Sequence, residues 1–192
     1  MGTEQGGLRR RRVAVPLLAL VAVLSLVAAG CGGKSADEKA NEAYANSVCG
    51  AVATWQTQVK SIATDLSGGI SKASLQSKVT EIESQTKSLA TQIKAVPPPN
   101  TSQGQATRQQ LDQLSSDLTK TVDSVKAAVD GLQADASAAT VAAAALTIAP
   151  EVQSLATTGK SAISSLQSSK DAMSKAFKSA DSCKSLTNNS SS

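Results

Sequence analysis

Large apolar residues recur along most of this chain at intervals of three and four positions. This spacing places them on one face of an α-helix, because an α-helix completes a turn every 3.6 residues. Two segments interrupt the pattern, Gly68-Gly69 and Pro97-Pro98-Pro99, and both are typical of helix ends. The sequence therefore predicts several amphipathic helices joined by short turns, without the alternation of strands and helices that builds a parallel sheet.

Four apolar stripes are present. The first follows a capping-box sequence at residues 35–38, and the second ends at the prolines. The third follows candidate caps at residues 100–102 and is expected to end near or beyond Gly131, while Pro150 suits the first turn of the fourth. The stripes consist of Tyr44, Val48, Val52, Trp55, Val59, Ile62 and Leu66; Leu75, Val79, Ile82, Leu89, Ile93 and Val96; Leu111, Leu114, Leu118, Val122, Val125, Val129 and Leu132; and Val152, Leu155, Gly159, Ile163, Leu166, Met173, Phe177 and Ala180.

Four helices of comparable length predict an all-α fold, an up-down-up-down four-helix bundle over residues 44–186. Because the steps are heptad-like, a longer two- or three-helix coiled coil is the alternative. Val, Leu, Ile and Phe supply only 28 of the 162 residues after position 30, so the core is expected to be slim. Residues 187–192 are polar and are predicted to be a disordered tail.

The N-terminal segment has the order of a secretory signal peptide. Four arginines occupy positions 9–12, and the 17 residues from 13 to 29 carry no charge. That apolar run is shorter than the ~20 residues of a typical membrane-spanning helix, so a retained anchor helix is the less favoured alternative. Residues 1–30 are therefore predicted to be an export signal, by either the general or the twin-arginine route.

The end of this segment, Val27-Ala28-Ala29-Gly30-Cys31, resembles the lipobox of bacterial lipoproteins, although Ala28 stands where Leu is usual. The resemblance implies cleavage between Gly30 and Cys31, diacylglycerol on the Cys31 thiol, and often an acyl chain such as palmitate on the new amino group. Several acyl chains give stable anchoring. The expected location is the extracytoplasmic face of the cell membrane, with residues 31–43 as lipidated cysteine and flexible tether. The Ala- and Ser-rich composition resembles that of actinobacterial envelope proteins.

The two remaining cysteines are Cys49 and Cys183. In an exported chain, two cysteines predict one disulfide, and the first and fourth helices of a bundle are neighbours. A metal or redox role is disfavoured because the chain has no histidine and no C-x-x-C spacing.

Several function classes fit the sequence poorly. Without histidine or a recognisable nucleophile motif, no catalytic residues, metal site or cofactor are predicted. After removal of residues 1–30 the chain has 15 basic and 14 acidic side chains, which argues against nucleic-acid binding. Residues 28–35 match a phosphate-binding loop only permissively, and cleavage before Cys31 would divide the match, so no nucleotide is expected.

Two non-enzymatic hypotheses remain. One is an interaction or structural module that docks on another envelope protein through a helix face, and the other is a carrier or sensor of a small apolar ligand held between helices. An exposed apolar stripe would favour the first, and an enclosed cavity the second. Trp55 is predicted to be either the core anchor of the first helix or a contact to a partner interface or a ligand.

Overall fold

In the computed structural model, residues 33–68 and 70–188 are described, and within these ranges the protein is all-α, as predicted, with six helices and no strand. The predicted signal peptide, with Gly30 and Cys31, lies outside the described residues, as do residues 189–192. The helices are α1 (Ala36–Ser67), α2 (Lys72–Ala95), α3 (Ser102–Asp130), α4 (Ala138–Ser168), α5 (Ala172–Ser179) and α6 (Asp181–Asn188).

Short polar side chains start the helices. The capping box predicted at the start of α1 is confirmed, since the Ser35 hydroxyl accepts from the Glu38 backbone N–H while the Glu38 carboxylate accepts from the Ser35 N–H. These hydrogen bonds lower the pKa of Glu38. The equivalent caps of the next four helices are Ser71, Thr101, Ser137 and Asp171. The breaks at Gly68 and at Pro97 also lie where they were predicted.

The predicted start of the fourth helix at Pro150 is wrong, whereas the third helix ends near Gly131, within the expected range. α3 ends at Asp130, before Gly131, and α4 begins 12 residues earlier than predicted, so that Pro150 lies inside it. The alanine-rich segment has high helix propensity and Ser137 caps it, and these features outweigh the proline. Pro150 is tolerated because it and Leu146, whose carbonyl loses its helical partner, are both exposed to water.

Helical structure also reaches further than expected at both ends of the domain. α1 begins at Ala36, so much of the predicted 31–43 tether is helical, and α6 includes residues 187 and 188 of the predicted tail. The residues expected in one fourth helix are divided among α4, α5 and α6, because α4 stops at Ser168 and Asp171 caps a new helix. The first turns of α1 share a groove with α5.

The apolar stripes form one core. α1 packs against α2 and α4, α3 packs against the same two helices, α5 contacts α1, α3 and α4, and α6 lies mainly on α1. Every stripe residue is buried except Val96 and Leu132, which are partly buried. Among the described residues, α4 alone is long and apolar enough to cross a membrane by length and composition, but its buried side chains belong to this core.

Candidate functional site

The predicted disulfide is present. Cys49 of α1 and Cys183 of α6 are joined with their Cα atoms 5.0 Å apart, and both residues are fully buried. Beside the bond, the Ser182 backbone N–H donates to the Asn46 side-chain oxygen at 3.1 Å. An isolated helix of eight residues is unstable in water. The disulfide and this hydrogen bond therefore hold α6 against the first half of α1.

Trp55 lies in the core, where it joins three helices. Its side chain is almost completely buried, and the indole Nε1 donates to Thr86 Oγ1 of α2 at 3.2 Å. On α4, Gly159 faces the ring: a Cβ there would lie 2.8 Å from Trp55 Cζ3. In the described structure, Trp55 is therefore the core anchor that the sequence suggested, and not an exposed interface residue.

Arg108 is a residue that the sequence analysis did not single out. Its guanidinium donates to the last carbonyls of α2, with Nη1 3.2 Å from Val96 O and Nη2 3.3 Å from Lys94 O. Its Nε bonds both oxygens of Asp112, one turn further along α3, at 3.1 Å. Arg108 thus caps the C-terminus of α2 from α3. In the sequence, the four-residue spacing of Arg108 and Asp112 indicates their ion pair, but it does not indicate the contact of Arg108 with α2.

Two buried polar atoms lie at the same end of the domain as Arg108. The Tyr44 hydroxyl and the Asn41 side-chain oxygen have no hydrogen-bond partner among the described residues. Tyr44 packs edge-to-face on Phe177, with ring centroids 6.4 Å apart. Burial raises the pKa of Tyr44, and the positive charge of Arg108 opposes that shift only in part. The phenol is therefore held neutral, as a packing group with a polar tip.

A groove on the described surface lies between α1 and α4. The groove between α1 and α4 has a volume of about 320 Å³, and no charged residue lines it. Its lining consists of Ala63, Thr64, Ser67, Leu146, Ala149, Pro150 and Gln153. An enclosed pocket for an apolar ligand is a different arrangement, in which side chains surround most of the ligand surface.

One rim of this groove is an apolar surface of α4. Leu146 is 64% exposed, and within the described ranges it is the one large apolar side chain that lies mostly in solvent. The sequence from residue 136 to residue 150 contains no charge. We call the exposed residues Ala139, Ala143, Leu146, Thr147 and Pro150 the α4 apolar face. The sequence predicted a helix that begins at Pro150, so this face, which lies almost entirely before Pro150, was not predicted.

Charged side chains form ion pairs on helix surfaces. Glu83–Lys87 and Asp117–Lys120 are two such pairs, one turn apart on their helices, and both are exposed enough for solvent to screen them. Lys78 bridges α2 to α1 by contacting Asp65 at 2.8 Å, and this hydrogen bond raises the pKa of Lys78. Within the described part of the chain, no three His, Cys, Asp or Glu residues are grouped as metal ligands would be.

In three comparisons, no family model, no curated protein and no solved structure matches the chain. What defines its class is the fold itself, a small all-α domain whose C-terminal helix is fastened by a buried disulfide.

Proposed function

We propose that this chain is a lipid-anchored lipoprotein of the cell envelope whose helical domain is a non-enzymatic interaction module. The observation that carries the proposal is the α4 apolar face, which offers Leu146 to solvent beside an uncharged groove. Exposed apolar area next to a groove is a feature of protein-docking surfaces. The proposed partner is another envelope protein that places an apolar helix or loop against this face.

The proposed architecture is an up-down-up-down bundle of α1 to α4, with α5 and α6 as additions to one end. Contacts between neighbouring helices support it. Lys72 at the start of α2 donates to the Leu132 carbonyl just after α3, at 2.7 Å, and Arg108 near the start of α3 reaches the end of α2. Gln56 of α1 donates to the Ala156 carbonyl of α4 at 3.1 Å.

The proposed anchor is diacylglycerol on Cys31 after cleavage behind Gly30, and its support is the lipobox-like sequence. Cys31→Ala tests it directly. Loss of the protein from the membrane fraction, with loss of the lipid mass from the intact protein, is the expected outcome. Membrane retention of the variant with a mass unchanged apart from the substitution would contradict lipidation.

Docking is tested with a photo-activated cross-linker placed at position 143 on the α4 apolar face. The matched control carries the same group at Gln76, an exposed position on α2. In native membranes we expect a discrete, repeatable protein adduct from position 143 that is absent from position 76. Leu146→Glu should abolish that adduct without changing the unfolding temperature. Equal cross-linking at both positions, or adducts with lipid alone, would contradict docking through this face.

A further inference from the structure

The end of the domain at which α1 begins carries a second surface with a different chemistry. α5 contacts α1, α3 and α4. Its N-cap Asp171 and its residue Met173 line a groove with α3 and α4, while Lys175 and Ser179 line another with the first turns of α1. α5 therefore runs across this end of the domain, from α3 and α4 towards α1.

The two faces of α5 differ in polarity. Met173, Ala176 and Phe177 are buried against the other helices, whereas Lys175 and Lys178 are exposed on the opposite side. Lys170, immediately before the helix, is also exposed. We call Lys170, Lys175 and Lys178 the α5 lysines. Among the described residues, none of the three forms an ion pair.

Most carboxylates at this end have other partners. Glu42 pairs with Lys34, and Asp181 pairs with Lys184. Glu38 and Asp171 accept backbone hydrogen bonds as part of their helix caps. The two caps leave their carboxylates charged, and Lys175 acts electrostatically on Glu38. The charges at this end that belong to neither an ion pair nor a cap are the positive ones of the α5 lysines, Lys39 and Lys94, and the negative one of Asp37.

We infer that the α5 lysines contact anionic lipid headgroups and orient the domain on the bilayer. This inference rests on the proposed anchor at Cys31. The four peptide units between Cys31 and the helix cap Ser35 span at most about 14 Å. A lipidated Cys31 would hold this end of the domain near the membrane surface, within reach of a field that decays over about 8 Å at physiological salt.

The test uses the full-length, lipidated protein in phosphatidylcholine vesicles with and without phosphatidylglycerol. Exposed amines are acetylated for a short time, and each lysine is quantified by mass spectrometry. We expect acetylation of the α5 lysines to fall at least about threefold when anionic lipid is present, because each lysine near such a surface is attracted to it. Lys60 and Lys120 on the long helices serve as internal controls and should not change.

Salt and substitution complete the design. At about 1 M NaCl, where the Debye length is about 3 Å, the protection should disappear. In the Lys175→Gln/Lys178→Gln variant Lys170 should lose its protection, whereas the Lys60→Gln/Lys120→Gln control should behave as the unmodified protein. Equal acetylation with and without anionic lipid would overturn the inference. Intact mass and co-sedimentation with the vesicles report the anchor separately, so an absent lipid is distinguishable from a missing headgroup contact.

Discussion

Gly159 of α4 lies directly against the indole of Trp55, so closely that a Cβ at this position would come within 2.8 Å of Cζ3. Contacts this short do not occur between real side chains, and Trp55 has little freedom because its Nε1 is bonded to Thr86. The absence of a side chain at position 159 is what allows α4 to approach α1 at the level of the largest core residue.

Gly159→Ala should therefore destabilise the protein. Overpacking of a filled core costs about 1–3 kcal/mol, which outweighs the gain in helix propensity from alanine. The matched control is Gly50→Ala, where the added Cβ would meet only Ser182 Oγ at 3.9 Å, and this variant should be neutral or more stable. Denaturant unfolding followed by Trp55 fluorescence measures both. Equal stabilities of the two variants would show that the ring is free to move.

Removal of the disulfide should have a large effect on so slim a core. The bond closes a loop of 134 residues, and loss of a native disulfide from a small exported domain costs about 2–5 kcal/mol. The Cys49→Ala/Cys183→Ala variant should show this loss in the free energy of unfolding. Hydrogen exchange should accelerate first in α5 and α6, because α6 is the element that the bond holds to α1. Faster exchange in α2 and α3 before α6 would contradict this assignment.

The helical stripes could be predicted from the sequence because burial follows the 3.6-residue period of the helix. The stripe residues of α1, from Tyr44 to Leu66, are buried as predicted. The error at Pro150 has a physical cause, since a proline on the solvent side of a helix leaves its missing hydrogen bond to water. The Arg108 cap and the α4 apolar face depend on which helices become neighbours. Local periodicity does not contain that information, so neither could be predicted.

Arg108→Met should destabilise the junction between α2 and α3. The substitution preserves much of the side-chain volume but removes the donors to the Val96 and Lys94 carbonyls and the pair with Asp112. Hydrogen bonds from charged donors contribute about 1.5–3 kcal/mol each at most, and the partial exposure of this site places the expected total loss at about 1–3 kcal/mol. Lys120→Met, which removes only an exposed pair, is the control and should change stability little. Comparable losses in thermal unfolding would argue against the capping role.

The buried phenol of Tyr44 should make the fold sensitive to alkaline pH. Burial raises its pKa above the ordinary value of 10.0, so the unfolded chain loses the phenolic proton at a lower pH than the folded one. The contribution to stability is fully present below pH 10 and is lost as the pH rises through the folded-state pKa. Tyr44→Phe removes both this titration and the hydroxyl that lacks a partner. Because the buried hydroxyl lacks a partner, the variant should already exceed the unmodified protein near pH 8 in the midpoint of urea unfolding, and the difference should grow near pH 11. A constant difference between the two proteins across this range would show that Tyr44 ionises equally well in the folded and unfolded states.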